Sequence, residues 1–259
     1  MRKILIFTAL LGCILLGCKK TKKEASQTGV YNMDKQTVTA GGKDSVYNRK
    51  QLKFYTDNYF AYASMAPDSS VGFGIGSYKS DTGKNIIETN IYSSRALDSP
   101  LVFHVAIAPK DSGYVQVLPT STPKGAKYTV TEVYTRLPLS AATKLDGLWK
   151  LDAAYTVTGK DTAKQSTNQY KVFWGGHFMF VHRYPLDVTN TTYKNGFGFG
   201  DFSLSNDTLS EKEQISSHAA LVGRSFAIKI NFKGDDEYSQ IITDSKTGNQ
   251  SVEIYRRLK

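Results

Sequence analysis

Apolar and polar residues alternate along much of the chain. The clearest example is an apolar set spaced two residues apart, namely Phe226, Ile228, Ile230 and Phe232. Residues 101–107 repeat the pattern in the first half. Such alternation is typical of a strand with one buried face, and turn residues such as Asn206-Asp207 separate these segments. No segment shows a sustained helical period, so the pattern predicts an all-β chain.

The pattern occurs twice. A first block of residues recurs 118 positions later, and after a six-residue insertion in the second copy the matches continue to the end. Fixed-order self-similarity indicates a duplicated structural unit, here of about 110 residues. The matching segments are 29–34 with 147–152, 51–55 with 169–173, 72–78 with 196–202, and 132–137 with 253–258.

Closure into barrels is the arrangement that we expect for each copy. Closing a sheet of short strands removes its exposed edges, and about eight strands enclose side chains or one small ligand. The Gly-Phe-Gly-Phe-Gly run at 196–200 puts two rings on one face and bare glycines on the other. The glycines permit a sharp bend, or alternatively leave room for an aromatic ring or a ligand. We predict two tandem antiparallel β-barrels of about eight strands, at residues 29–137 and 147–259, joined by a linker at 138–146.

The N-terminus has the pattern of a secretory signal. Arg2 and Lys3 precede an apolar run of about 13 residues, which ends at Leu15-Leu16-Gly17-Cys18. That run is shorter than the roughly 20 residues of a membrane-spanning helix but fits a signal-peptide core. The closing tetrapeptide resembles the lipobox of bacterial lipoproteins, which implies removal of residues 1–17 and lipidation of Cys18. A second tetrapeptide ending at Cys13 and an ordinary secretory signal are the alternatives.

Residues 18–28 carry four lysines and no periodicity, so we expect a solvated tether. Resemblance to lipoproteins of double-membrane bacteria implies an anchor in the outer membrane, because no aspartate follows Cys18. The acidic stretch that marks surface export is missing, so we expect the body to face the periplasm.

Composition excludes several functions. The formal net charge of +10 falls to +8 without Arg2 and Lys3, and four of the remaining cations lie in the tether. No basic stripe is left to bind nucleic acid. Both cysteines lie within the first 18 residues, which leaves the body without a disulfide or a catalytic thiol. Motifs of serine hydrolases, nucleotide-binding loops and zinc proteases are absent, so we expect no catalytic residues, no metal and no cofactor.

Two residues carry a resemblance to a known superfamily. Gly147-Leu148-Trp149 opens the second copy, and Arg257 ends it; the pair resembles the lipocalin and calycin signature. The wider pattern is similar to a lipocalin-like domain of unknown function in envelope proteins of Bacteroidetes-type bacteria. The resemblance implies that Trp149 packs against Arg257 and closes one barrel end. The corresponding residues of the first copy are Gly29, Tyr31 and Arg136, with tyrosine in place of tryptophan.

Aromatic strands provide the candidate ligand site. We expect the cavity to be lined by one face of residues 173–182, the two rings of the glycine-rich run, and the inward face of the last strand. The candidates are Phe178, Phe180, His182, Phe197, Phe199, Tyr255 and Arg257. Arg257 has two interpretations, a scaffold cation over Trp149 or a partner for a ligand carboxylate. His182 and His218 are minor candidates for haem.

A small apolar or amphipathic molecule is the expected ligand, because pockets for such molecules are concave and mostly apolar. The alternative is a non-catalytic structural or interaction lipoprotein whose solid barrels contact protein or glycan. An enzyme is a third hypothesis, and no motif supports it.

Overall fold

A computed structural model describes residues 27–81, 84–121, 125–186, 192–244 and 246–259. The predicted signal, Cys18 and the tether up to residue 26 lie outside these ranges. Among the described residues, none belongs to a helix long and apolar enough to cross a bilayer.

The first copy folds into nine strand segments. They are β1 (Gly29–Ala40), β2 (Lys43–Tyr47), β3 (Lys50–Tyr55), β4 (Tyr59–Met65), β5 (Val71–Asp81), β6 (Asn85–Ser93), β7 (Leu101–Lys110), β8 (Gly113–Ser121) and β9 (Lys127–Arg136).

The second copy repeats the arrangement and adds a short 3₁₀ turn at Ala219–Leu221, which follows its sixth segment. Its strands are β10 (Gly147–Thr158), β11 (Asp161–Gln165), β12 (Asn168–Trp174), β13 (His177–Pro185), β14 (Tyr193–Ser205), β15 (Thr208–Ser216), β16 (Ser225–Lys233), β17 (Glu237–Thr243) and β18 (Gln250–Arg257).

Each copy closes into a barrel. From β3 to β9 every strand pairs antiparallel with its sequence neighbour, and β1 joins β3 to β9. Strands β2 and β3 pair with successive halves of β1, since Gln36 faces Tyr47 and Asn32 faces Leu52. They therefore act as one interrupted strand, and the barrel has eight strand positions. The second copy has the same order, which confirms the prediction of two tandem antiparallel barrels.

One end of each barrel is filled with aromatic rings. In the second barrel Trp149 packs edge-on against Tyr238 at 4.8 Å, and Tyr238 stacks on Tyr255 at 4.9 Å. In the first barrel Tyr114 stacks on Tyr134 at 4.8 Å. These rings are almost fully buried. Offset and edge contacts of this kind contribute about 0.5–1.5 kcal/mol each beyond the burial of area.

A third apolar core lies between the barrels. It is formed by outward-facing side chains of both copies and contains Phe197 and Phe199. Their assignment to the cavity is therefore wrong. Alternation along β14 separates rings from glycines but does not say which face is interior; here the outer face is apolar because the other barrel covers it.

The same positions of both copies build this core. Seven pairs of aligned residues take part, together with Tyr92. The pairs are Val30 with Leu148, Leu52 with Tyr170, Phe54 with Val172, Ala61 with Met179, Ala63 with Val181, Phe73 with Phe197, and Ile75 with Phe199.

Replacing Tyr92 with phenylalanine is expected to lower the free energy of unfolding by about 1 kcal/mol. The Tyr92 hydroxyl donates to the Asn168 carbonyl across the interface at 2.6 Å, and its ring lies 4.7 Å from Tyr170. Urea denaturation measures the change. Tyr47→Phe removes a hydroxyl from an exposed side chain and serves as the control. Equal stabilities of the two variants would contradict the role of the inter-barrel hydrogen bond.

Candidate functional site

The end of the second barrel away from Trp149 is open. It holds a cavity of about 540 Å³ with an apolar wall and a polar floor. The apolar side chains come from β13, β16, β17 and the 3₁₀ turn, and they are Phe180, Leu221, Phe226, Ile228 and Ile242. A cavity of this size lies within the range of small-molecule sites.

A connected polar network forms the floor. The buried Lys171 ammonium contacts Glu211 at 2.8 Å and donates to Gln240 at 3.2 Å. The Gln240 amide in turn donates to Glu253 at 2.8 Å. The Tyr255 hydroxyl also donates to Glu253 and accepts from Gln169. Buried polar groups require such partners, because an unpaired one costs about 1–3 kcal/mol.

The first barrel contains the same network. Lys53 contacts Glu88 at 2.6 Å and donates to Gln116 at 3.1 Å. Gln116 then donates to Glu132, as does the Tyr134 hydroxyl. Six aligned positions therefore carry the same residue in both copies, namely Gln51 with Gln169, Lys53 with Lys171, Glu88 with Glu211, Gln116 with Gln240, Glu132 with Glu253, and Tyr134 with Tyr255.

Sequence reasoning missed Lys171 and Glu211 as members of the site. The available signal was identity between the copies: Gln and Lys recur two residues apart at 51–53 and at 169–171, while the residue between them changes from Leu52 to Tyr170. The two copies have diverged in sequence, yet these polar residues are identical in both while the apolar residue between them differs. Such identity indicates that the polar residues belong to a network inside the barrel.

Glu213 is a second acidic group above the floor. It is 2% exposed, and its Oε1 atom has no hydrogen-bond partner. Burial, together with the nearby Glu211 carboxylate, raises the pKa of Glu213 to about 8. Its carboxyl group is therefore mainly protonated at neutral pH.

His182 and His218 meet at the cavity rim, with their Nε2 atoms 3.2 Å apart. Burial, and then the neighbouring His218, lowers the pKa of His182 to about 4. Burial also lowers the pKa of His218. Both rings are consequently neutral at physiological pH, and one donates to the other. The sequence prediction named each histidine separately but did not bring them together.

The interior glycines of β14 make this arrangement fit. A side chain at Gly198 would overlap the Glu213 carboxyl group and would come within 2.6 Å of the Phe180 ring. At Gly196 it would overlap His182 and approach His218 to 2.9 Å. The glycine-rich run therefore leaves room for neighbouring side chains, which was one of the two interpretations of its sequence.

The other predicted lining residues divide between two places. Phe180 and His182 line the cavity. Phe178 and Tyr255 lie in the filled aromatic core below it, fully buried. Phe197 and Phe199 point out of the barrel, as described above.

Arg257 closes the opposite end. Its guanidinium lies 4.1 Å from the centre of the Trp149 ring and donates to the carbonyls of Lys144 at 2.7 Å and Asp235 at 2.8 Å. It also covers Gly147, where φ is +133° and a Cβ would lie 2.5 Å from its Nη1 atom. Arg257 thus lies outside the cavity wall, which corrects its assignment as a lining residue and removes the interpretation that it binds a ligand carboxylate.

The first copy has a looser version of this closure. The guanidinium of Arg136 lies 6.0 Å from the Tyr31 ring and donates to the Thr28 carbonyl at 2.6 Å. The Tyr31 hydroxyl donates to the Gln27 carbonyl at 2.9 Å. Gly29 begins β1 beside these two side chains, and a Cβ there would lie 2.9 Å from the Arg136 Nε atom.

No group of three or more histidine, cysteine or acidic side chains with metal-site geometry occurs in the described part of the chain. His177 is engaged by Asp201 and the Pro138 carbonyl, each at 2.9 Å. His104 is exposed on β7.

The first barrel also has a cavity, of about 320 Å³. It shares the polar floor but differs at the rim, where Arg49 and Arg95 contribute to the lining. Asn90 takes the place of Glu213 and accepts a hydrogen bond from the Ile75 amide at 3.1 Å. The duplicated scaffold therefore carries two chemically different cavities.

Comparisons with protein-family models and with curated proteins find no match. Solved structures similar to this chain include an uncharacterized protein from Saccharomyces cerevisiae, 9% identical with a TM-score of 0.49, covering 89% of this chain and 98% of that one. Another is a protein of unknown function from the DUF3598 family of Nostoc punctiforme, 9% identical with a TM-score of 0.27, covering 90% and 97%. Function must therefore be inferred from the residues of this chain.

Proposed function

We propose that the protein is a non-catalytic, lipid-anchored binding protein of the bacterial cell envelope, which holds a small amphipathic molecule in its second barrel. The observation that carries this proposal is the open cavity of about 540 Å³, with apolar walls above a polar floor. Few polar groups in a mostly apolar concave site are typical of small-molecule binding. Its floor is a buried, mutually hydrogen-bonded network, which would orient the polar end of a ligand.

The envelope location rests on the N-terminal sequence. A basic start, a short apolar run and the tetrapeptide ending at Cys18 support export followed by lipidation. Anchoring by more than one acyl chain is needed for stable attachment. The lysine-rich tether fits a position beside anionic headgroups, and we propose the outer membrane, with both barrels facing the periplasm.

Binding is favoured over catalysis because the titratable groups of the floor are already paired. Lys171 is held by Glu211, and Glu253 accepts from Gln240 and Tyr255. Binding is favoured over a purely structural role because solid barrels would not leave one end of the interior open.

Native mass spectrometry of the full chain, extracted from its own membranes, tests the proposal. We expect an acyl mass on Cys18 and a noncovalent mass that organic extraction removes. Ala220 is exposed and lines the cavity mouth, so Ala220→Trp should occlude the mouth without disturbing the core. The variant is expected to reduce ligand occupancy at least about tenfold, equivalent to 1.4 kcal/mol.

Ala219→Trp is the matched control, because Ala219 is the exposed neighbour that does not line the cavity. It should retain the ligand. A bare polypeptide mass, unchanged by added amphiphiles, would overturn the binding proposal and favour an interaction protein of the envelope. If Cys18 carries no acyl mass, the proposed lipid anchor is wrong, but the proposed binding of a ligand in the cavity is unaffected.

A further inference from the structure

The two cavities differ in the balance of their charged residues. The lining of the second contains Lys171 and three carboxyl groups, from Glu211, Glu213 and Glu253. The lining of the first contains three cations, Arg49, Lys53 and Arg95, and two carboxyl groups, Glu88 and Glu132. The floor contributes the same lysine and the same pair of glutamates to both. The difference therefore arises above the floor, where the copies have diverged.

Glu213 is the group responsible for the acidic excess. Its Oε1 atom is buried without a partner, at the position where the first copy has Asn90. Lys171, the cation whose charge acts on Glu213, is already bound to Glu211 at 2.8 Å. Ser216 hydrogen-bonds the carboxyl group, but an oxygen that is buried beside an open cavity without a protein partner is available to a ligand donor.

The remaining charged groups around Glu213 do not compensate it. His182 on β13 and His218, which follows β15, are neutral at physiological pH for the reasons given above. Lys194 acts on His218 at the rim and does not line the cavity. Glu253 faces the cavity from β18 and adds negative charge.

We infer that the second cavity selects amphipathic organic cations, whose ammonium group pairs with Glu213 while the tail lies against Phe180, Phe226 and Ile228. This inference rests on the proposed function and specifies its ligand class. The Phe180 ring adjoins the carboxyl group, since both meet at Gly198, and an aromatic face attracts a cation. The first cavity, with arginines at its rim, should not share this preference.

Pairing with an ammonium ion requires Glu213 to be ionised. Since the carboxyl group is mainly protonated in the free protein at pH 7, each bound ammonium displaces one proton from Glu213 into solvent. The O–H bond of the carboxyl group breaks, its electron pair stays on the carboxylate, and the buffer takes up the proton. Proton release on binding is therefore a signature that an ordinary apolar ligand does not produce.

Isothermal titration calorimetry of the full chain with octylamine, octanol and octanoate tests the inference. The three ligands share a tail and differ in charge. Repeating the titration at pH 7 in buffers of different ionisation enthalpy counts the protons released. We expect octylamine to bind at least about tenfold more tightly than octanol, to be blocked by Ala220→Trp, and to release about one proton.

Glu213→Gln should weaken octylamine binding about tenfold more than it weakens octanol binding, and should abolish proton release. Asp161→Asn removes a carboxylate from an exposed strand of the same barrel and should change neither. If octanol or octanoate binds as tightly as octylamine, the cation preference is overturned. If Ala220→Trp blocks that binding, the result still supports the proposed function. Failure of all three ligands to bind would overturn both.

Discussion

Replacing Lys171 with methionine is expected to lower the free energy of unfolding by about 3–5 kcal/mol. The ammonium is the cation at the centre of the polar floor, 4% exposed, and contacts Glu211 and Gln240. Methionine fills similar space but leaves Glu211 buried beside Glu213 without its cation. Removing one member of a buried ion pair is strongly destabilising because the remaining charge has lost water and partner together.

Urea denaturation of the variant and the wild type measures this change. The double variant Lys171→Met/Glu211→Leu should recover most of the loss, since replacing both members of a buried pair with apolar residues is often neutral. Lys164→Met, on the exposed strand β11, should change stability by less than about 0.5 kcal/mol. A loss below about 1 kcal/mol for Lys171→Met would show that the floor does not depend on this ion pair.

Stability is expected to fall by roughly 1–1.5 kcal/mol as the pH rises from 6.5 to 8, with a slope of at most about 1.4 kcal/mol per pH unit. Burial raises the pKa of Glu213 from 4.5 in a free side chain to about 8. The folded protein therefore holds a proton that the unfolded chain has lost, and higher pH favours unfolding throughout that interval.

His182 has the opposite effect at lower pH. Its pKa falls from 6.5 to about 4, so between these values the unfolded chain binds more protons and stability rises with pH. His218 is shifted in the same direction. The histidines offset Glu213 below pH 6.5, and the fall caused by Glu213 is visible above it.

Glu213→Gln should remove the fall between pH 6.5 and 8, and urea midpoints measured at intervals across that range test it. Asp161→Asn should retain it. If the stability of Glu213→Gln falls as much as that of the wild type over this pH range, a group other than Glu213 is responsible.

Period-two alternation and the internal repeat were sufficient to predict two tandem antiparallel barrels. They were not sufficient to identify the interior face of each strand. On β14 the rings of Phe197 and Phe199 face outward and the glycines inward, because the other barrel covers the outer face and the interior needs space for Phe180 and Glu213. When both faces of a strand are buried, the difference in hydrophobicity between the faces does not identify which one points into the barrel.

The polar floor could not be predicted from the sequence pattern for a related reason. On β12 the interior residues are Gln169 and Lys171, whereas Tyr170 and Val172 face the other barrel. Hydrophobicity alone would place the lysine in solvent. Likewise, Glu253 and Arg257 share one face of β18 by alternation but do not pair. They lie at different depths in the barrel, so Glu253 is bound by Gln240 instead and Arg257 by backbone carbonyls.

The apolar core between the barrels joins two copies of one fold, so the chain resembles a homodimer whose two subunits are covalently linked. The interface is formed by the same positions of both copies, as in the isologous interface of a two-fold homodimer. The linker keeps the two faces at a high effective concentration, so the contact holds with less intrinsic affinity than separate subunits would need. Cutting the chain between residues 138 and 146 would therefore yield two halves that reassociate, and a gene encoding one copy would encode a self-pairing barrel.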